Sequence, residues 1–188
     1  MTAALVGGQV VTVAEIDERE RILRSGNRAS ALPRPGTSEG RQLRRWLTQL
    51  VTAERAVALE THDAERIPGI DEVLPDMAAR LEIGSIAAAV LATDAGRAAY
   101  ARVTAGIEVS DIEIVAYHRR NPTRFAARRS EALDFARARP LIAAHLTAAA
   151  RRRAFRCWLD ARCAELVVLS PGYEHPGDPR QPDNTHRH

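Results

Sequence analysis

Residues 140–169, PLIAAHLTAAARRRAFRCWLDARCAELVVL, form the stretch that decides the fold. Its apolar residues recur at intervals of three and four, a spacing that predicts an amphipathic helix of about seven turns. Arginines lie between them and belong on solvent or against an acidic partner. A helix this long cannot bury its apolar stripe alone, so the rest of the chain must supply the surface on which it packs. The stripe consists of Leu141, Ile142, Leu146, Ala149, Phe155, Trp158, Leu159, Cys163 and Leu166.

The composition favours close-packed helices. The chain has 188 residues, of which 45% are hydrophobic but only 4% aromatic, and alanine dominates the apolar residues. Alanine has a high helix propensity and little preference for strands. We therefore predict a mostly α fold, with a single multi-helix domain over residues 1–169 and a Pro/His-rich C-terminal tail over residues 170–188.

The charged residues narrow the possible chemistry. The sequence contains no lysine, so all 27 basic residues are arginines, which excludes a lysine Schiff base and a P-loop lysine. The net charge of +3 is small, which favours a solvated, mixed-charge surface over a nucleic-acid footprint. The chain also lacks the G-x-G-x-x-G, C-x-x-C and H-E-x-x-H motifs. We expect no cofactor and no nucleic-acid partner.

The N-terminal residues, MTAALVGGQVVTVAEID, contain neither a basic start nor a long apolar run. They are not typical of a secretory signal or a transmembrane span, so we expect a cytoplasmic protein without a membrane partner. Cys157 and Cys163 would lie roughly 9 Å apart on a helix, which is too far for a disulfide.

The first residues predict a short strand and a capped helix. Residues 4–13 are rich in β-branched side chains and contain a Gly7-Gly8 turn. Thr12 and Glu15 have the spacing of a capping box, which predicts a helix that runs to about Arg24. The pair Val167–Val168 near the other end is a second strand candidate, and pairing it with Val10–Val13 would join the two ends of the chain.

Further helices follow from caps and breaks. Ser38 is the predicted N-cap of a helix over Glu39–Thr61, and Ser110 with Glu113 begins another that stops at Asn121-Pro122. Pro140 is expected at the start of the long helix, where its missing N–H costs nothing. The remaining predicted helices are Asp71–Leu81, Ile86–Thr104 with Ser85 as its cap, and Arg124–Arg139.

Several of these pieces occur in the same order in one family. The segment GQVVTVAEID at residues 8–17 resembles the "NG-x-x-(I/V)T-x-x-E(V/L)" start of SurA/PrsA-type, trigger-factor-like chaperones, and RQLRRWLTQLVTAE at residues 41–54 is similar to their second segment. GIEVSDIE at residues 106–113, with Tyr117 and NPTRF at residues 121–125, resembles their "G(I/V)xVSDxE…YYxxNPxxF" element, the most specific match.

The resemblance implies a SurA-N-like fold in which a terminal helix and strand pack on the N-terminal segments. The sequence departs from the family in three ways, one of which is that the family is largely exported whereas this sequence shows no signal. Residues 62–105 have no clear counterpart, and only residues 126–139 stand where a parvulin prolyl isomerase domain normally follows. Isomerase activity is therefore not implied, and the transfer of chaperone function is an analogy at the level of the fold.

We predict a cleft between the Leu43–Val57 helix and the Leu141–Leu166 helix that holds a protein or peptide client. Binding would come from apolar burial with arginines at the rim. The alternative for each apolar position is an ordinary core role, since helical spacing indicates core more often than a site. A homodimer is also possible. The candidate binding residues are Trp46, Leu50, Tyr117, Phe125, Phe155 and Trp158.

The tail suggests a function of a different class. It carries three of the six histidines together with acidic residues, and such side chains serve in acid/base chemistry or as metal ligands. Tyr173, His175 and Asp178 are the catalytic candidates for a small enzyme or accessory factor of a biosynthetic pathway, and His175, His186 and His188 are metal candidates. The competing interpretation is a Pro-rich terminus whose histidines have no role.

Overall fold

The computed structural model describes residues 1–27, 29–60, 66–125 and 134–175. Within these ranges the chain is mostly helical with one small antiparallel sheet, which confirms the predicted fold class. The elements in chain order are β1 (Thr2–Val6), β2 (Gln9–Thr12), α1 (Val13–Arg24), a 3-10 turn (Ala29–Ala31), α2 (Ser38–Ala58), α3 (Ile70–Val73), α4 (Met77–Ile83), α5 (Ser85–Val90), α6 (Asp94–Val103), α7 (Asp111–Arg120), α8 (Phe135–Leu166) and β3 (Val167–Leu169).

The long helix α8 spans 32 residues, about 48 Å at 1.5 Å per residue. It begins earlier than predicted, because the Asp134 side chain accepts a hydrogen bond from the Ala136 N–H and caps it. Pro140 therefore lies inside the helix and not at its start. Proline has no N–H, so Pro140 cannot donate a hydrogen bond to the carbonyl of Ala136, four residues earlier. Pro140 and Ala136 are both exposed, so water can hydrogen-bond this carbonyl instead.

The two halves of α8 have different neighbours. The N-terminal half packs on α7 through a small cluster built on Ile114, Ala138 and Ile142. The C-terminal half packs on α2, α4 and α6, where Phe155 and Leu159 are 0% and 2% exposed. The predicted separate helix over Arg124–Arg139 is therefore wrong at its C-terminal end, since residues 135–139 form the first turn of α8.

The sheet joins the two ends of the described chain, as predicted, but through a different strand pair. The strand order is β2-β1-β3, so β1 lies in the middle. β3 pairs with Ala4–Val6 and not with Val10–Val13, because residues 9–12 form the other arm of a hairpin with β1. The hairpin turns at Gly7 and Gly8, whose φ values of 54° and 82° favour glycine and suit a two-residue turn.

Two of the predicted helices are each divided by a capping residue. Asp76 accepts a hydrogen bond from the Ala79 N–H and begins α4 after the short helix α3. Thr93 accepts from the Gly96 N–H in the same way and separates α5 from α6. The caps of two other helices also differ from the prediction, since Thr37 and not Ser38 caps α2, and Gly84 precedes α5 without a side-chain bond.

Helices α2 and α6 begin in the same way, with a threonine N-cap followed three residues later by a glycine. The hydroxyl of Thr93 donates to the Val90 carbonyl and accepts from the Gly96 N–H. A Cβ on Gly96 would lie 2.1 Å from the Val90 oxygen, so the approach of that carbonyl requires glycine. Thr37 and Gly40 repeat the arrangement before α2, where a Cβ on Gly40 would lie 2.3 Å from a backbone oxygen.

Helix α1 is held on α2 largely by ion pairs. Ile16 is the buried apolar residue of α1, whereas Glu15 pairs with Arg55 at 2.5 Å and Arg19 with Glu54 at 2.6 Å. Arg44 of α2 pairs with two further carboxylates of α1, those of Asp17 and Glu20. The capping box of Thr12 and Glu15 forms as predicted and begins this helix.

We expect Gly96→Ala to lower the free energy of unfolding by about 1–3 kcal/mol, although alanine is the better helix former, because its Cβ would overlap the Val90 carbonyl. The matched control is Gly106→Ala, where an added Cβ meets nothing within 4 Å. The control should leave stability unchanged or raise it slightly. Urea unfolding followed by circular dichroism measures both, and a G96A protein as stable as the parent would contradict the expectation.

We expect Glu15→Gln to remove stability that depends on pH. Hydrogen bonds from the Thr12 backbone and hydroxyl, followed by Arg55, hold the pKa of Glu15 below its ordinary value of 4.5. A carboxylate with a lowered folded-state pKa contributes stability above 4.5, and the contribution disappears as pH falls through the folded-state pKa. The difference in Tm between E15Q and the parent should therefore be largest near neutrality and shrink in acid.

Thermal unfolding at a series of pH values checks this expectation. Glu108→Gln is the control because Glu108 is an exposed glutamate outside the helices. A difference in Tm between E15Q and the parent that stays constant down to strongly acidic pH would show that the carboxylate charge is not the cause.

Candidate functional site

An open cavity of about 570 Å³ lies between α2 and the C-terminal half of α8. The junction of α4 and α5 forms its floor, and β3 lies at one end. We refer to it as the α2/α8 cleft. Its walls are mainly apolar, with a few charged groups toward solvent. The lining residues are Trp46, Gln49, Thr52, Ala53, Ile83, Gly84, Ser85, Ile86, Ala87, Arg156, Leu159, Asp160, Cys163, Val167, Leu169 and His175.

Helical spacing builds both long walls of the cleft. Trp46, Gln49 and Ala53 recur at intervals of three and four on α2, and Arg156, Leu159 and Cys163 do so on α8. Residues at these spacings share one face of a helix, so each helix presents a continuous stripe to the cavity. These stripes explain why the cleft runs along the helices.

The floor of the cleft is formed where the chain breaks between helices α4 and α5, and the sequence indicates this break only weakly. Gly84 has φ +88°, a conformation that favours glycine, and it separates α4 from α5. The indole N–H of Trp46 donates to the Ser85 hydroxyl at 3.0 Å and ties the α2 wall to this floor. Ile83 and Ile86 lie within residues 62–105, which have no clear counterpart in the family that the sequence resembles, so the sequence analysis did not name them as site residues. The Gly84-Ser85 pair between them is the sequence signal that could have indicated the site.

The structure separates the predicted binding residues into three groups. Trp46 lines the α2/α8 cleft. Leu50 and Phe155 are buried in the main core behind it, and Trp158 packs against that core with its ring 5.6 Å from Phe155.

Tyr117 and Phe125 lie elsewhere, beside α7. Their ring centroids are 6.4 Å apart, and both rings contact His145 of α8. They belong to the cluster that joins α7 to the N-terminal half of α8, so the structure does not bring them to the α2/α8 cleft.

The described part of the tail contributes one residue to the cleft. His175 is exposed and lines the cavity. Tyr173 instead packs against the sheet and hydrogen-bonds the Arg44 guanidinium. Asp178, His186 and His188 lie outside the described residues. Among the residues that are described, no group of three or more His, Cys, Asp and Glu side chains could hold a metal ion.

Two charged side chains lie at the margin of the cleft, and the thiol in its wall is neutral. Arg156 and Asp160 are exposed and pair at 3.7 Å, one turn apart on α8. Burial, followed by the neighbouring charge of Asp160, raises the pKa of Cys163 to about 11. A thiol with such a pKa stays protonated near neutrality, so Cys163 presents a neutral side chain to the cleft.

Comparison with known proteins places a family at the N-terminal end only. A family model described as a family of unknown function (DUF7158) matches residues 2–39. These 38 of 188 residues cover β1, β2, α1 and the loop before α2. No curated protein and no solved structure matches the chain. Within the ranges that the structure describes, no helix combines the length and hydropathy needed to cross a bilayer.

We expect the two thiols to differ sharply in reactivity. In a Cys157→Ser variant the remaining Cys163 should react slowly with a maleimide near neutrality, because a pKa near 11 lowers its thiolate fraction about a hundredfold relative to the ordinary value of 9.0. The matched Cys163→Ser variant leaves the exposed Cys157 and should react at the rate of a free thiol. Mass spectrometry over a time course measures both, and equal rates would show that the cleft wall does not protect Cys163.

Proposed function

We propose that the chain is a chaperone-like protein- or peptide-binding domain without isomerase activity. It holds an apolar segment of a partner polypeptide in the α2/α8 cleft. The observation that carries the proposal is the cleft itself, which is apolar, open and about 570 Å³ in volume, and lies between α2 and α8. This volume falls within the range of about 300–1,000 Å³ typical of ligand sites.

Apolar burial supplies the driving force in this proposal. Each large side chain that moves from water into the cleft contributes about 1.5–3 kcal/mol before the cost of ordering the ligand. The exposed Arg156 and Asp160 stand beside this apolar surface, so polar groups of the partner can remain hydrated or pair at the rim. An interior that is apolar with a charged margin is the usual anatomy of a protein-binding surface.

The ion pairs of the chain support a polypeptide partner over nucleic acid. Many arginines are engaged in intramolecular pairs, such as Arg152 with Glu82 across α8 and α4 and Arg44 with the carboxylates of α1. Arginines neutralised in this way do not form the continuous basic stripe on which phosphate binding depends. A cytoplasmic location and the resemblance to SurA/PrsA-type chaperones belong to the same proposal.

A second candidate function uses the same cleft. Asp160, Cys163 and His175 all line it, and His175 is the last described residue before residues 176–188. A small enzyme or accessory factor whose site is completed by the C-terminal tail would use His175 and Asp178 as acid/base groups or ligands.

The cleft-binding proposal is tested by filling the cleft. Gln49→Phe places a larger apolar side chain on the α2 wall and should abolish suppression of the heat aggregation of citrate synthase, measured by light scattering. Ala58→Phe is the matched control, since it adds the same side chain at an exposed position near the end of α2. The parent and the control should protect equally. No protection by the parent protein, or equal protection by all three proteins, would contradict the proposal.

Removing residues 176–188 separates the two candidate functions. Peptide and client binding should be unchanged if the cleft alone carries the function. A truncated chain that keeps its Tm but loses a ligand bound by the full chain would instead favour the tail-completed site.

A further inference from the structure

Within the residues that the structure describes, β3 is an edge strand of the sheet, and its register shows which of its backbone groups face away from β1. The N–H of Ser170 donates to the Ala3 carbonyl, and the N–H of Gly7 donates to the Leu166 carbonyl, both at 2.9 Å. Hydrogen-bonded pairs alternate along an antiparallel ladder. Val168 with Leu5 is therefore a hydrogen-bonded pair, and Leu169 with Ala4 is not.

The backbone of Leu169 consequently points away from β1. In a non-hydrogen-bonded pair the N–H and C=O groups of both residues face the outer sides of the two strands. Val167 has the same orientation, but its N–H donates to the Cys163 carbonyl at the end of α8. The outer edge of β3 thus presents the Leu169 N–H, the Leu169 carbonyl and the Val167 carbonyl.

This edge borders the α2/α8 cleft. The side chains of Val167 and Leu169 line the cavity, whereas Val168 between them is 64% exposed on the opposite face of the sheet. An extended chain laid along β3 would therefore send every second side chain into the cleft. Outward-facing backbone groups on a strand and an apolar cavity beside them are the two components of binding by strand addition.

We propose that the partner segment binds in an extended conformation as an added antiparallel strand on the outer edge of β3, with alternate apolar side chains in the α2/α8 cleft. This inference rests on the proposed function and specifies its ligand class, an extended polypeptide with an apolar–any–apolar pattern. Main-chain hydrogen bonds with Leu169 and Val167 orient the segment, and the cavity selects its side chains.

The added strand makes a specific demand on the partner. A residue directly opposite Leu169 in a hydrogen-bonded pair shares its side-chain direction, so its side chain enters the cleft while its own N–H and C=O face Leu169. The residues on either side of it turn their N–H groups to solvent. Methylation of the peptide amides that face Leu169 should therefore weaken binding strongly. Methylation of the amides that face solvent should not.

Two N-methylated forms of one peptide test this demand. The probe is the fluorescently labelled peptide Ser-Leu-Ser-Leu-Ser-Leu-Ser, and its affinity is measured by anisotropy with the full chain. N-methylation of all its leucines should weaken binding by about tenfold or more, because it removes the main-chain donors and introduces bulk at the edge. N-methylation of the inner serines should change the affinity by no more than about twofold to threefold.

Substitutions in the protein test the same hydrogen bonds that peptide methylation tests. Leu169→Ala and Leu169→Pro both shorten the side chain, but only the proline removes the outward N–H, so L169P should bind the unmodified peptide more weakly than L169A. Val10→Pro is the matched control, because Val10 pairs with Leu5 at a non-hydrogen-bonded position and its N–H faces the opposite edge of the sheet. V10P should bind as the parent does, and circular dichroism should confirm that all variants are folded.

The outcomes separate the inference from the function on which it rests. Binding of the unmodified peptide that is equally sensitive to both methylation patterns overturns the strand-addition mode and leaves cleft binding intact. Failure of the unmodified peptide and of a helical Leu-rich peptide to bind overturns the proposed function as well. A stable dimer in light scattering that excludes the peptide would show that a second copy occupies the edge, and this also overturns the inference.

Discussion

The pairing of β1 with β3 is the constraint on which the rest of the structure depends. It attaches the C-terminal end of a 32-residue helix to the N-terminal hairpin through backbone hydrogen bonds, such as that from Gly7 to the Leu166 carbonyl. Because β1 also packs on α2, this attachment sets the position of α8 opposite α2. The distance between the two helices, and therefore the cleft, follows from the sheet and not from the helices alone.

Several ion pairs join α8 to the helices around it. Arg162 of α8 pairs with Glu60 just beyond the end of α2, and Glu60 also pairs with Arg102 of α6. Arg152, which is 6% exposed, binds Glu82 of α4 through two nitrogen atoms. These pairs join α8 to α4 and, through Glu60, to the end of α2 and to α6.

The two ends of α8 serve different purposes. Its C-terminal half belongs to the main core, whereas its N-terminal half is covered by α7 through a small cluster of apolar and aromatic residues. Among the described residues, this second region has a smaller set of buried side chains than the main core, so its local stability should be lower. The segment on which the proposed resemblance to SurA/PrsA-type chaperones chiefly rests lies here, away from the cleft, and the Ser110–Glu113 capping box accounts for part of it in structural terms. The motif thus reports helix capping and says little about ligand chemistry.

The sequence alone determined the helical class, the two capping boxes, most of the apolar stripe of α8 and the joining of the two ends, because these depend on local periodicity and on residue types. The stripe was wrong at Leu141, which is 46% exposed. It also indicated the two helices that enclose the cleft. It did not reveal that β3 would pair with β1, since Val10–Val13 has the stronger β preference and only the hairpin places Ala4–Val6 beside β3. Nor did it reveal that Trp46 would face the cavity while Leu50 and Phe155 would be buried, because a stripe on one helix does not specify its rotation against two others. Tertiary packing settled both, since the sheet anchors α8 at its end and the remaining volume must be shared among α2, α4, α5 and α8.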